Sequence, residues 1–174
     1  MVRTASDELL LGEWACLGIL AQGPAHGFAV AKRLAPDGDV GRVWSLSRAL
    51  TYRALDQLVE GGQIHAVGEE PGKAGGVRTL LAPTRSGRAL LKRWVVTPAA
   101  HLRDVRSELL LKLVLADGLG VDTRPLLVAQ RERVASIAAA RAQDDPHDVV
   151  VLWRRESAEA VVRFLDALLA RGPR

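Results

Sequence analysis

Residues 44–58 read WSLSRALTYRALDQL, and this stretch decides the fold of the chain. Ser45 or Ser47 can accept hydrogen bonds from the free N–H groups of a following helix, so we predict that a helix begins here. The helix runs to about Glu60 and ends at Gly61-Gly62, because glycine adopts the left-handed conformation that a helix end requires.

The predicted helix has two different faces. The inner face carries Thr51, Ala54, Leu55 and Leu58, and the outer side carries Arg48, Ala49, Tyr52, Arg53 and Asp56. A helix that packs on one face and presents small, polar or basic side chains at the start of the other fits the DNA major groove. Arg48 would then pair with a guanine or contact a phosphate, and the sequence leaves both roles open.

The flanking segments predict the remaining elements of a winged helix-turn-helix. In chain order they are helices over Leu9–Ala21 and about His26–Leu34, the helix just described, strands over Ile64–Glu69 and Val77–Ala82, and a helix over Arg85–Val96. The strands are joined by a glycine-rich tip, and Lys73 and Arg78 supply the positive charge with which a wing lies along DNA phosphates. We therefore predict a mainly α-helical fold with a small β-hairpin wing.

Thr97-Pro98 is the predicted boundary between a winged domain, residues 1–97, and a helical dimerisation domain, residues 98–174. In the second domain an apolar stripe over Leu102, Val105, Leu109 and Leu113 ends at Gly118, and the last helix has apolar residues at helical spacing from Val150 to Leu168. The last helix has few obvious partners in its own chain. A second copy would cover it in a homodimer that reads two DNA half-sites, and the alternative is that it folds back on the winged domain.

The charge and the apolar runs limit the class of protein. The formal net charge of the 174 residues is +4, and residues 1–97 carry 12 basic and 9 acidic groups. Such an excess permits nucleic-acid binding without demanding it. The first apolar run contains Glu13 and is too short for a membrane span or a secretory signal, so we expect a cytoplasmic protein without a membrane partner. The single cysteine, Cys16, excludes an internal disulfide and is expected to be buried.

The sequence lacks the patterns of an enzyme or a metal site. The four histidines, His26, His65, His101 and His147, lie far apart without metal-ligand spacing, and His26 is expected to cap a helix or to pack. No nucleophile–histidine–acid set and no phosphate loop is found, so we expect no catalysis, no metal and no cofactor. The alternative to DNA binding is a winged-helix protein-interaction module without sequence-specific DNA binding, because periodicity alone does not separate the two.

Several segments together resemble the PadR family of transcriptional regulators. They are His26-Gly27-Phe28, Trp44-Ser45-Leu46-Ser47, Tyr52-Arg53-Ala54-Leu55, Thr84-Arg85-Ser86-Gly87-Arg88 and, in the second half, Arg106-Ser107-Glu108-Leu109-Leu110-Leu111-Lys112-Leu113. The series spans nearly the whole chain in order. The resemblance implies a dimeric winged-helix protein that joins through its C-terminal helices and first helix, with Ser47, Arg48, Tyr52 and Arg53 facing DNA and Arg78 as the wing arginine.

The chain departs from the family pattern at a few positions. The family usually has Thr-Leu before the helix tyrosine, whereas this chain has Leu50-Thr51. Thr51 then falls on the core face, and Leu50 either contacts a thymine methyl or indicates a slightly rotated helix. Phe28 stands where the family usually has tyrosine.

The predicted function is that of a homodimeric repressor that binds a palindromic operator in double-stranded DNA. In some members of the resembled family, aromatic residues at the dimer interface bind flat hydrophobic molecules. By that resemblance Trp14 and Trp94 are the candidates for binding a small hydrophobic or aromatic effector that releases the DNA, and packing is the simpler role for both.

Overall fold

The structure is a computed structural model that describes residues 9–72, 76–140 and 147–171. The elements within these ranges are α1 (Leu11–Gln22), α2 (Gly27–Arg33), α3 (Arg48–Glu60), β1 (Ile64–Pro71), β2 (Val77–Pro83), α4 (Arg85–Val96), α5 (Leu110–Leu119), α6 (Arg124–Ala139) and α7 (Val149–Ala170). The predicted fold class, mainly α-helical with one antiparallel hairpin as a wing, is confirmed.

Helix α1 lies at the centre of the first of two compact units, which comprises the described residues up to Val95 together with Leu110–Val121. It packs against α2, α3, α5 and β2, and its residues from Glu13 to Leu20 are all buried. A helix surrounded on all sides needs an apolar sequence without a polar face, as this one has. Cys16 is buried as predicted, and burial raises the pKa of its thiol to about 12, which leaves it unreactive at neutral pH.

Helix α3 begins at the second of the two candidate serines. The Ser47 hydroxyl accepts a hydrogen bond from the Leu50 N–H at 3.2 Å, which satisfies one of the free donors of the first turn. The four residues predicted to face inward, Thr51, Ala54, Leu55 and Leu58, are buried. The helix ends at Glu60, and Gly62 has a φ of 71°, the left-handed conformation that glycine was predicted to supply here.

Strands β1 and β2 form the hairpin and are slightly longer than predicted. They pair from Ile64 opposite Pro83 to Pro71 opposite Val77, with an irregularity between Ala66 and Gly68. The base of the hairpin is tied to the start of α2, since Ala25 and Leu81 exchange two backbone hydrogen bonds of 3.1 and 3.0 Å. Most of β1 is exposed to solvent, so the hairpin projects from the helices as a wing does.

Two contacts fix the helix that follows the hairpin. The Thr84 hydroxyl donates to the Gly62 carbonyl at 2.8 Å and accepts from the Gly87 N–H at 3.0 Å. A Cβ at Gly87 would lie 2.1 Å from the Gln63 carbonyl oxygen, so α4 approaches the α3–β1 turn too closely for any other residue. Thr84 is therefore the predicted cap, and it also joins α4 to the end of α3.

The second compact unit comprises Val96–Leu109 and the described residues from Asp122 onward. In it α6 packs against α7, and Arg131 pairs with Asp166 between these two helices. Gln130 is almost fully buried. Its side-chain amide accepts from the Ala99 N–H at 2.7 Å and donates to the Ala99 carbonyl at 3.2 Å, so a buried polar group is fully paired with an otherwise irregular backbone segment.

The region between residues 102 and 119 differs from the single regular stripe that the sequence predicts. Leu102–Asp104 form a 3₁₀ turn and Val105–Leu109 a π-helical turn before α5 begins. In α5 the buried positions are Leu111, Lys112, Leu115 and Ala116, whereas Leu113 of the predicted stripe is only half-buried. Leu111 and Leu115 pack into the core of the first unit, so the buried face of α5 does not continue the predicted stripe.

The chain passes from the first unit to the second near the predicted boundary at residue 97, and Leu110–Val121 then returns to the first unit. The sequence contains no signal of this return. The division into a DNA-binding and a dimerisation domain stays a prediction.

Candidate nucleic-acid interface

The turn between α2 and α3 is held by an arginine. The Arg33 guanidinium donates to both carboxylate oxygens of Asp39, at 2.6 to 3.1 Å, and to Gln22 Oε1 at 2.8 Å. The same guanidinium holds the pKa of the Asp39 carboxyl below its usual value. A carboxylate fixed in this way keeps the turn that leads into α3 in one conformation.

The outer face of α3 presents the residues predicted from the sequence. Ser47, Arg48, Leu50, Tyr52 and Arg53 are all exposed. The structure shows which residue of the reversed Leu50-Thr51 pair faces outward. Leu50 is 50% exposed, while Thr51 is completely buried. The Thr51 hydroxyl donates to the Ser47 carbonyl at 3.1 Å, so a threonine is accommodated on the core face without an unpaired polar group.

An open groove of about 520 Å³ separates the start of α3 from the wing. Its floor and walls come from α2, α3 and β2, and they include His26, Phe28, Arg48, Tyr52, Asp56, Val59 and Arg78. Three of the predicted site residues thus line this one groove, namely Arg48, Tyr52 and Arg78. Ser47, Leu50 and Arg53 lie on the exposed side of α3, and Lys73 lies outside the described residues.

Two arginines from different elements meet on one aromatic ring in this groove. The Arg48 Cζ lies 5.1 Å from the centroid of the Phe28 ring, and the Arg78 Cζ lies 5.8 Å from the same centroid. Arg48 also lies 5.9 Å from the centre of the Tyr52 ring. These distances are those of cation–π contacts, in which the negative face of the ring attracts the guanidinium.

His26 joins the wing to the start of α2. Its Nδ1 accepts from the Ala29 N–H at 3.0 Å, which confirms the predicted capping role. The proton of the neutral ring is then on Nε2, which donates to Glu70 of β1 at 3.0 Å. The Arg78 Nη1 atom lies 3.2 Å from the same Nε2, but two N–H donors then face each other, so this approach adds no hydrogen bond.

Sequence reasoning missed two residues of this cluster, Phe28 and Glu70. Phe28 was present in the His26-Gly27-Phe28 segment that supports the family resemblance, but an aromatic residue in a short helix is typical of a core position. Nothing in the sequence pairs Glu70 with His26, because the contact depends on the register of the hairpin.

The candidate effector residues lie in the core of the first unit. Trp14 and Trp94 stack with their ring centres 4.6 Å apart and their planes 7° apart, and both are buried. Lys112 Nζ lies 4.8 Å from the centre of the Trp94 ring. The packing role is thus visible, and binding of an effector stays a prediction.

No protein-family model matches the sequence, and no curated protein is similar to it. Solved structures do match. The fold is similar to that of Bacillus subtilis PadR.

Three crystal structures of that protein illustrate the similarity. Its complex with operator DNA is 18% identical, with a TM-score of 0.47, over 90% of this chain and 97% of that one. Its complex with p-coumaric acid is 18% identical, with a TM-score of 0.46, over 92% and 98%. The third, of PadR, is 19% identical, with a TM-score of 0.45, over 96% and 97%.

Two further findings concern the described part of the chain. Residues 9–72, 76–140 and 147–171 contain no cluster of three His, Cys, Asp or Glu side chains suited to a metal ion. In the same ranges, no helix has both the length and the apolar character needed to cross a bilayer.

Proposed function

We propose that this protein is a DNA-binding transcriptional regulator whose reading element is α3. The observation that carries the proposal is the groove that Arg48 of α3 and Arg78 of the wing line together, both in contact with the exposed Phe28 ring. Positive groups that flank an amphipathic, outward-facing helix are what a major groove and its bordering phosphates require.

We propose the following roles for the site residues. Arg48 in the first turn of α3 reads a base or grips a phosphate. Tyr52 and Arg53, about one turn further along α3, face the same major groove of the DNA. Leu50 contacts a thymine methyl, because its exposed side chain has no polar atom with which to read a base edge. Ser47 acts mainly through its cap, since its hydroxyl is engaged by Leu50.

The wing residues have a less specific role in this proposal. Arg78, and Lys73 at the tip, contact the phosphate backbone beside the half-site. Such contacts raise affinity for every sequence and make binding sensitive to salt.

We further propose that the protein acts as a homodimer. On α7 an exposed apolar stripe runs through Val149, Trp153, Ala160 and Phe164, while the residues buried in that helix, Ala158 and Leu165, lie on its opposite side. Trp153 is 72% exposed, which is unusual for a large aromatic side chain unless a partner covers it. A second copy of the chain is the partner that fits this stripe, because the two α3 helices of a dimer then reach major grooves about one helical turn apart on a palindrome.

Repression and effector release complete the proposal. A dimer that covers a palindromic operator blocks transcription by occupying it. A flat aromatic effector would act by separating the Trp14–Trp94 stack, because those rings contact each other over their faces and Trp14 belongs to α1, the helix that packs against α3. p-Coumaric acid, present in one PadR structure, is a convenient first probe.

Selection from a pool of random duplexes tests DNA binding. If the proposal is right, the pool converges on a palindrome that the protein binds saturably, with an affinity that falls as salt increases. A pool that stays random overturns it and favours the protein-interaction module. Addition of p-coumaric acid to the protein–DNA complex then tests the effector proposal separately from DNA binding. Release of the DNA supports the effector proposal, and unchanged binding contradicts it for this compound.

A further inference from the structure

Phe28 occupies a position that core packing does not explain. Its side chain is 46% exposed in the first turn of α2, and yet it is in contact with charged groups from two other elements. Arg48 approaches from α3 and Arg78 from β2, so the ring is the point at which helix and wing meet.

We propose that Phe28 is a positioning residue that holds Arg48 and Arg78 together as a clamp for one strand of the DNA backbone. The proposal rests on the proposed function and adds to it a specific link between the reading helix and the wing. The sequence alone does not indicate that the two arginines meet, since they lie 30 positions apart in the chain.

The chemistry of stacked guanidinium groups supports a clamp. A guanidinium that lies over a ring is held through its face, and its N–H donors remain in the plane of the group, free to bind phosphate in a bidentate manner. The ring therefore orients both arginines without consuming their donors. It also removes part of their rotational freedom before DNA arrives, so less is lost on binding.

The shape of DNA indicates what the clamp holds. A helix that lies in the major groove and a wing that lies beside it are separated by one sugar–phosphate strand. Arg48 and Arg78 belong to that helix and that wing, and they flank the groove that opens between the two. The occupant of the groove is then a backbone phosphate of that strand.

The neighbouring residues keep the ring in place. The His26 ring stacks on Phe28 at 6.2 Å and 23°, and His26 is itself fixed by the Ala29 N–H and by Glu70. Phe28 thus sits on a rigid support, as a positioning residue must.

The test compares variants of the full chain in fluorescence-anisotropy titrations with the duplex that the wild-type protein selects, over a range of salt. Phe28→Leu keeps an apolar side chain but has no aromatic face, whereas Phe28→Tyr keeps the face. Each cation–π contact contributes about 2- to 5-fold by holding its arginine in position, so Phe28→Leu should bind about 4- to 25-fold more weakly. Phe28→Tyr should stay close to the wild type. Val96→Ala is the matched control and should bind like the wild type, since it trims an exposed apolar side chain that lies outside the groove and offers no aromatic face.

A double-mutant cycle makes the test specific for the arginines. In a chain that already carries Arg48→Ala and Arg78→Ala, the further change Phe28→Leu should have almost no effect on binding. The clamp is overturned if Phe28→Leu binds like the wild type, if Phe28→Tyr is equally weak, or if Phe28→Leu has its full effect in the absence of both arginines. If the wild-type protein shows no saturable preference for any duplex, the proposed function itself is overturned and the clamp with it.

Discussion

Arg48 combines three properties at the scale of a single residue: it is exposed, it lies in the first turn of α3, and its guanidinium is already oriented over Phe28. We expect Arg48→Ala to weaken binding to the selected duplex by about 1–3 kcal/mol and to relax the preference at one base position if the arginine reads a base. If it grips a phosphate, as the clamp requires, all duplexes weaken alike and the salt slope falls by roughly 0.9, whereas a relaxed base preference would contradict the clamp. Competition titrations with single-base variants of the duplex distinguish the two roles.

Arg85→Ala is the matched control for this change. Arg85 is the exposed first residue of α4, just as Arg48 is the exposed first residue of α3, and its loss changes the net charge equally. An equal loss of affinity in both variants would show a general charge effect and would contradict a specific role for Arg48.

Asp39 provides a prediction about pH. Because Arg33 depresses the pKa of this carboxyl in the folded protein, the ion pair stabilises the fold above the unfolded pKa of about 4. That contribution is lost as pH falls through the lower folded pKa. Asp39 is largely exposed, so the effect is expected to be below about 1 kcal/mol.

Chemical denaturation of the wild type and of Asp39→Asn from pH 7 to pH 2.5 measures this contribution. The two proteins should differ most at neutral pH and converge in acid. A difference that stays constant over the whole range would mean that the asparagine acts through packing, and the ion pair would then contribute nothing.

Single residues also show how far the sequence predicts the site. Arg48 and Tyr52 could be placed on the outer face of α3 by helical periodicity, and Ser47 could be placed at its start as a cap. Thr51 was assigned to the core against its polarity, and its hydrogen bond to Ser47 explains why the core tolerates it. Phe28 could not be assigned, since its partners come from elements that the sequence does not place in three dimensions.

At the scale of elements, the wing is held to α2 by His26. We compare two substitutions. His26→Asn keeps a side-chain acceptor for the Ala29 N–H but does not reach Glu70, whereas His26→Ala loses both contacts. We expect His26→Ala to lose about 1 kcal/mol of unfolding free energy through the missing cap, and His26→Asn to lose less.

Hydrogen exchange of the backbone amides of β2 reports on the wing in these variants. Exchange at Val77–Leu81 should be faster than wild type in both, because both lack the link to Glu70. Unchanged exchange in His26→Asn would mean that the Ala25–Leu81 bridge alone holds the hairpin.

The elements differ in how well the sequence predicts them. Helix α3 and the hairpin are defined by local signals, namely a serine cap, two glycines and alternating apolar residues, and they form where expected. The π-helical turn at Val105–Leu109 has no comparable local signal. It accompanies the passage of the chain between the two units, and such a change of partner depends on tertiary packing that periodicity does not contain.

At the scale of the whole molecule, the two units present different surfaces. The first unit has a core built around α1 and presents the proposed DNA-binding residues. The second pairs α6 with α7 and leaves the outer stripe of α7 exposed. A regulator that reads a palindrome needs a second copy, and that stripe is the surface of the second unit that a copy would cover.

Trp153→Glu tests this arrangement, because it places a charge at the most exposed aromatic of the stripe. We expect a dimer for the wild type and a monomer for the variant in sedimentation-velocity experiments at the same concentration. The variant should still contact one half-site, since the residues of the groove are unchanged, but its affinity for the full palindrome should fall by about 100-fold or more, because linked binding of the second head is lost.

Val128→Glu is the control, as Val128 is an exposed apolar residue of α6 that lies outside the stripe. It should remain dimeric and bind the palindrome like the wild type. If Trp153→Glu also remains dimeric, α7 is not the interface. If the wild type is monomeric and yet binds the palindrome with full affinity, the homodimer is contradicted while the role of α3 stands, because contacts from Arg48 and Arg78 do not depend on how the second half-site is filled.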